Sequence, residues 1–234
     1  MNLLKPNEGR SKLAIQLVIC VVIMDIVGLF SNTLECQLLS SGAFSVEDGT
    51  ANDTRQQIIA VFYSITYIIS IVVFIRWFRR AYYNIHQRAE VLNYSDDWAS
   101  IAWFIPIVSL YRPYQITREI FEETDQYLTK NKPDYKEKIS FTIVGIWWFF
   151  WIVNNIFSNI SFRVSLSAET LDDFITASIL NIINNLLGII SGIFAVLMIK
   201  EYSKIETLFY ETEKKEVLKT SISNRTIEEK KADL

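Results

Sequence analysis

Four stretches of this chain are long and apolar enough to cross a bilayer, and they constrain everything else about it. They run Leu13 to Phe30, Ile58 to Ile75, Ile139 to Ile160 and Ile175 to Ile199; none contains lysine or arginine, and only the first holds an acid, Asp25. A helix needs roughly twenty apolar residues to cross a hydrocarbon core about 30 Å thick, so windows of this length argue for spans over buried core helices. Half of the 234 residues are hydrophobic yet 21% are charged, and apart from Asp25 the charge is confined to connections and ends. The expected fold is all-α, an integral membrane four-helix bundle. The basic start (Lys5, Arg10, Lys12) would suit a secretory signal. No small-x-small cleavage site follows it, so the first window is expected to remain a span.

A fifth apolar piece, WASIAWFIPIVSL from Trp98 to Leu110, is too short, since thirteen helical residues reach only about 20 Å. Basic residues accumulate on the cytoplasmic side and can place it. If it does not cross, the N-terminus, residues 76–97, residues 111–138 and the C-terminal tail share one side. Those segments hold 3, 4, 6 and 8 of the 23 basic residues, leaving only Arg55 and Arg163 opposite. If it does cross, the split becomes 8 against 15, with the excess outside. The sequence therefore predicts four spans, both termini cytoplasmic, and a cytoplasmic-side re-entrant or interfacial helix at 98–110.

Ser95 is placed to cap that helix, Asp96 and Asp97 fall in its first turn, and Pro106 breaks it. Arg112-Pro113 restarts a helix over about 113–130. There Ile116, Ile120, Phe121, Tyr127 and Leu128 oppose Arg118, Glu119, Glu122, Glu123 and Asp125, the pattern of an amphipathic juxtamembrane helix. Residues 1–210 are read as one transmembrane domain and 211–234 as a polar, flexible cytoplasmic tail. The acidic stretch 31–57 is expected to be a flexible outer connection. Cys20 falls mid-helix in the first span and Cys36 beyond its end, about 24 Å away along the axis, too far to pair.

RWFRRAYYN (76–84) and SDDWASIAWFIPIVSLYRPYQI (95–116), with EI at 119–120, carry a pattern. It is a Trp-aromatic-Arg-x-Ala-x-x-Asn stretch after a span, then Trp-Ala, a Trp-Phe-x-Pro core and an Arg-Pro-Tyr restart. It resembles the signature of a bacterial membrane family, domain of unknown function 4328. The matching residues are Trp77, Arg79, Arg80, Ala81, Asn84, Trp98, Ala99, Trp103, Phe104, Pro106, Leu110, Arg112 and Pro113. The resemblance covers about 13–200 and is specific over 76–120. It implies a four-helix bacterial membrane protein, here expected in the inner membrane, with no established activity.

Read from the residues alone, tryptophan favours the headgroup level and arginine suits bidentate phosphate contact. Trp77, Arg79, Arg80, Asn84, Trp98, Trp103, Pro106, Arg112 and Pro113 are therefore the candidate residues for holding an anionic lipid or a partner. The plainer reading is topological anchoring, in which basic residues end a span and tryptophans mark the interface.

A second candidate set lies within the spans. Asp25, Asn154, Asn155, Asn181, Asn184 and Asn185 fall in one band about 15–23 Å from the cytoplasmic ends, with Tyr63, Thr66 and Tyr67 in the same outer half. An intramembrane carboxylate normally faces the bundle interior with a partner, and Asn184 or Asn155 is expected to serve Asp25. The band reads either as a polar cavity for an ion, proton or small solute, or as interhelical hydrogen bonding. Gly188 and Gly192 make a small-x-x-x-small face suited to close packing in the bundle.

One histidine, His86, expected in solvent, leaves no His-rich metal site, and neither a phosphate loop nor a nucleophile elbow occurs. No metal and no cofactor is expected, and a net charge of −3 suggests no nucleic-acid role. A lipid-modifying enzyme would need a carboxylate such as Glu119 with a nucleophile beside it, and no such pair is visible. The leading expectation is a non-enzymatic membrane protein that binds anionic lipid or a partner through the Trp/Arg/Pro element. A homo-oligomer or another membrane protein is the expected macromolecular partner. The alternative is a small transporter or channel using the polar band.

Overall fold

The computed structural model describes residues 4–89, 91–135 and 141–232, with side chains as far as Lys219 and at Ile222. Six helices follow in order: α1 Glu8–Ser40, α2 Val46–His86, α3 Trp98–Ile101, α4 Arg112–Asn131, α5 Thr142–Leu166 and α6 Leu171–Ala232. A single 3-10 turn, Val108–Leu110, precedes α4, and no strand occurs among the described residues. α1, α2, α5 and α6 are the helices long and apolar enough to cross a membrane. α1, α2 and α6 outrun their apolar windows at both ends, and α5 runs past the far end of its own, residues 139–140 of that window lying outside the described residues. α6 stays helical to Ala232 through the stretch expected to be a flexible tail.

The chain divides into two compact units. Arg10–Arg76 with Thr142–Ile199 make an apolar unit; Met1–Gly9, Trp77–Phe141 and Lys200–Leu234 make an amphipathic one.

The apolar unit is a closed ring of four helices. Ser31 on α1 donates to Gln56 on α2 at 3.1 Å, and Phe74 on α2 lies 6.1 Å from Trp147 on α5. Phe150 on α5 stacks on Phe194 of α6 at 5.4 Å, and Gly188 of α6 meets Asp25 of α1. The side chains turned away from this ring are apolar: Phe30, Phe62, Ile68, Phe149 and Phe162 are all exposed. No more than 28% of any span window is buried within the chain. A soluble monomer rarely shows apolar patches beyond a few hundred Å², so the chain is a membrane protein.

The connection expected to be flexible over 31–57 is nearly all helix, with only residues 41–45 outside α1 and α2. Two local devices tighten it. Gly42 takes a φ of 63°, a left-handed conformation that glycine adopts without cost, and ends α1. Ser45 and Asp48 then cap α2 reciprocally: the Ser45 backbone N–H donates to Asp48 at 2.9 Å, and the Asp48 N–H donates to the Ser45 hydroxyl at 3.1 Å. Thr170 and Asp173 repeat this box at the start of α6.

The amphipathic unit has an ordinary buried core. Trp77, Phe78 and Tyr82 of α2, Phe121 of α4, and Tyr202 and Phe209 of α6 are each at most 2% exposed. The expected apolar face of α4 is the one that packs: Ile116, Ile120, Phe121 and Leu128 are buried. Glu119, expected among its solvated residues, is buried too. It accepts hydrogen bonds from the Tyr82 hydroxyl at 2.6 Å and from the backbone and side-chain amides of Asn93, both at 2.7 Å. Three donors take a carboxylate off the wet face. His86, expected in solvent, instead packs edge-on against the Tyr82 ring, centroids 4.7 Å apart.

Candidate functional site

In the amphipathic unit the Trp98–Leu110 segment is no continuous helix. α3 ends at Ile101, five residues before Pro106, and begins without a side-chain cap, so Ser95 contributes its carbonyl rather than its hydroxyl. After a run of turns, Ile107 sits at φ 68°, the one positive φ among the described non-glycine residues. That conformation strains a β-branched side chain, and such strain persists only where the surroundings over-determine it. Ala99 and Ala102 face inward and are fully buried, whereas Phe104 is 71% and Ile107 74% exposed. The segment thus grips the unit by its small residues and turns its large apolar ones outward.

Arg112 opens α4 beside this tip. Its guanidinium carbon lies 4.0 Å from the Tyr94 ring centroid, 5.3 Å from Trp98 and 5.4 Å from Tyr111, stacking that is worth about 0.5–2 kcal/mol per well-placed ring. Arg79 reaches Asp97 at 3.8 Å with both side chains exposed, a pair of little energetic weight. Trp103 packs edge-on against Phe78 at 5.6 Å, and Pro113 is buried at the start of α4.

Trp77 and Asn84 are taken up inside the unit. Trp77 packs against Tyr202 at 6.1 Å. Asn84 pairs its amide with the Lys5 backbone, accepting from the N–H and donating to the carbonyl, both at 2.9 Å. Of the expected lipid-or-partner set, Arg79, Trp98, Trp103, Pro106 and Arg112 keep surface, and Trp77, Asn84 and Pro113 are buried. Arg80 acts on a buried acid, Glu206.

That acid belongs to a cluster the sequence reading missed. Asn7 donates to both carboxylate oxygens of Glu206, at 3.0 and 3.1 Å, and to the Trp77 carbonyl at 3.3 Å. Seven residues along α6, Glu213 pairs with Arg88 and accepts from the Tyr127 hydroxyl at 2.6 Å. The signal was available, since both acids lie on the face defined by Tyr202, Ile205 and Phe209.

In the apolar unit α1 and α6 run antiparallel in a reciprocal register. A Cβ added at Gly188 would lie 2.8 Å from Asp25 Oδ2, and one at Gly28 would lie 3.0 Å from Asn185 Oδ1. One at Gly192 would collide with Val22. Each helix thus offers a glycine where the other offers a polar group, and further along Ser178 donates to Glu35 at 2.9 Å. Asp25 has the phenols of Tyr63 and Tyr67 as its polar neighbours rather than Asn184 or Asn155. Asn184 instead accepts from Ser158 at 2.8 Å, Asn181 accepts from Ser161 at 2.6 Å, and Asn155 bonds its own helix at Trp151. Asn154 Oδ1 and Asn185 Nδ2 are buried without a hydrogen-bond partner. Among the described residues no group of three His, Cys, Asp or Glu is placed to hold a metal.

The model of a protein family described as a domain of unknown function, DUF4328, matches residues 41–204, most of the chain. The chain belongs to this family. Neither a curated protein nor a solved structure matches it. The DUF4328 match takes in α2 to α5, the Trp98–Leu110 tip and the apolar part of α6, and it begins after α1. Asp25, Glu206 and Glu213 therefore lie outside the matched residues, whereas Arg79, Arg112, Tyr63 and Gly188 lie within them.

Proposed function

We propose that this DUF4328 protein is a non-enzymatic protein of the bacterial inner membrane that binds anionic lipid at the cytoplasmic leaflet through the Trp98–Leu110 tip. The observation that carries this reading is the outward turn of Phe104, Ile107 and Leu110 beside Arg112. Apolar wedge and fixed cation together match an acyl chain and its phosphate. The longest helix in the segment has four residues, far short of what a span needs. Such a segment dips into the bilayer and returns, leaving residues 76–97 and 111–138 on one side with both termini. Irregular backbone at that depth is tolerated where protein covers it, and burial of Ala99 and Ala102 supplies that cover.

The test is lipid content. Arg79→Ala with Arg112→Ala is expected to deplete co-purifying anionic lipid, each charge being worth about 1 kcal/mol, roughly a fivefold change. Phe104→Ser with Ile107→Ser should act the same way without altering charge. Lipid content unchanged in both folded variants overturns the binding site. The topology has its own arm: with Cys20 and Cys36 replaced by serine, Lys130→Cys and Lys132→Cys should resist a membrane-impermeant thiol reagent added to intact cells, and labelling at either site overturns it.

A further inference from the structure

Asp25 lacks a compensating charge. The four apolar windows contain no lysine, arginine or histidine, and Asp25 is 3% exposed. From α2 it is faced by the phenols of Tyr63 and Tyr67, and from α6 by the bare backbone of Gly188. The charged groups nearest along the helices, Glu35 and Arg55, are engaged elsewhere. Arg55 donates to Ser31 Oγ at 3.0 Å and to Asn52, and Glu35 accepts from Asn52 at 3.1 Å and from Ser178. A lone carboxylate ion at membrane depth is expensive. A metal cation would need about six oxygen ligands, and one carboxyl with a phenol falls well short. The counter-ion that fits is a proton.

Hydrogen-bonding groups continue away from Asp25 as a series in one direction, whereas the buried polar groups on its other side are scattered hydroxyls such as Ser191, Ser70 and Ser11. Gly28 faces Asn185, whose Nδ2 is buried and unpartnered and which is itself only 8% exposed. Ser31 follows with Gln56 and Arg55, then Glu35 with Asn52 and Ser178. These positions form a stripe of ten residues along α1, about 15 Å by helix rise, running toward the exposed turn at residues 41–45. In the opposite direction α1 turns Ala14 inward and meets α6 through Val22 and Gly192.

We infer that Asp25 is a reversible proton-binding site inside the membrane unit, reached from the residue 41–45 turn along the stripe of Glu35, Ser31 and Asn185. A proton from water at the turn adds to the Asp25 carboxylate beside the Tyr63 phenol, and release returns the proton by the same route. None of the residues used for lipid binding takes part, so the two readings stand or fall separately.

Infrared spectroscopy of the purified full chain tests this, because a protonated carboxyl has its own carbonyl stretch. Glu206→Gln is used as background to remove a second buried acid. A protonated-carboxyl band is expected at neutral pH, lost in Asp25→Asn and bleached reversibly as the pH is raised. Tyr63→Phe keeps the carboxyl and should shift the band, which secures the assignment where Asp25→Asn fails to fold. Glu35→Gln with Ser31→Val should slow the response to a pH jump. A neutral-pH spectrum identical to that of Asp25→Asn, a band unmoved by Tyr63→Phe, or a band that persists at alkaline pH overturns the site. An unslowed response in the stripe variant overturns the route.

Discussion

The two units of this chain solve burial in opposite ways. The amphipathic unit hides aromatic rings, together with a few hydrogen-bonded charges such as Glu119, Glu206 and the Arg88–Glu213 pair, and leaves most of its charge outside. The apolar unit hides many small and polar residues, among them Ser11, Ala14, Asp25, Ser31, Ser178, Asn185 and Ser191, besides Trp147 and Met198, and leaves most of its phenylalanine and isoleucine outside. In water only the first arrangement gains free energy from excluding solvent. In lipid, whose tails are as apolar as leucine, association instead depends on close approach and on hydrogen bonds between helices. The same polypeptide therefore reads out two solvents. A given chemical change should have different consequences in the two units.

The largest contrast is in charge. Arg88 and Glu213 are at most 6% exposed as side chains. Burial pushes the Glu213 carboxyl up, but the hydrogen bonds from Arg88 and Tyr127 outweigh it and hold the group below the ordinary glutamate range. Removing one partner of such a pair strands the other, so Arg88→Ala should cost about 3 kcal/mol in denaturant unfolding. The exposed pair Arg118–Glu122, one helical turn apart at 2.8 Å, is the internal reference, and Arg118→Ala should cost less than about 0.5 kcal/mol. Equal costs would remove the distinction between a packed core and a solvated face within the amphipathic unit.

The next effect belongs to the apolar unit and turns on a single methyl group. Alanine at Gly188 would press on the Asp25 carboxyl, which is itself buried and has little room to move. Overpacking of this kind costs about 2 kcal/mol. At Gly145 on α5 an added Cβ meets nothing within 4 Å. There the higher helix propensity of alanine should leave stability unchanged or raise it by up to about 1 kcal/mol. Thermal unfolding of the two variants in one detergent distinguishes seam from surface. A harmless Gly188→Ala would mean that α1 and α6 do not approach as described.

Much of this was legible before any coordinates. The windows free of lysine and arginine announced α1, α2, α5 and α6, and the 3.6-residue spacing of Ile116, Ile120 and Phe121 announced the packed face of α4. Harder to see was whatever depends on a partner distant in sequence. Residues 31–57 looked flexible because they are polar, yet Arg55 reaches back to Ser31 across 24 positions and the Ser45–Asp48 box closes the turn. The Asp25 environment was assigned to asparagines by depth alone. Depth fixes a layer but not a direction around the helix axis, and the phenol of Tyr63 occupied that direction. Glu119 was placed on a wet face by periodicity, which cannot register three donors arriving from residues 82 and 93. The Gly188 and Gly192 motif was seen on one helix only; its counterpart at Gly28 emerges once α1 and α6 are set antiparallel.

The last effect is read from the shape of a stability curve rather than from its height. Glu206 lies on α6 beyond the last apolar window, and burial pushes its carboxyl up to about 7, against the pull of hydrogen bonds from Asn7 and Asn84 and the charge of Arg80. A carboxyl raised on folding binds its proton more tightly in the native state than in the unfolded one. Its stabilising contribution is complete below the ordinary glutamate value of about 4.3 and is lost as the pH rises through about 7. Glu206→Gln holds the neutral form at every pH. The wild type should therefore weaken relative to the variant between those two values and run parallel to it above them. The opposite trend from Glu213, whose carboxyl is lowered, falls on the acid side and cancels in the difference between the two proteins. A difference curve flat across the neutral range would mean that water reaches Glu206, and that the clasp it forms with Asn7 and Asn84 is open in solution.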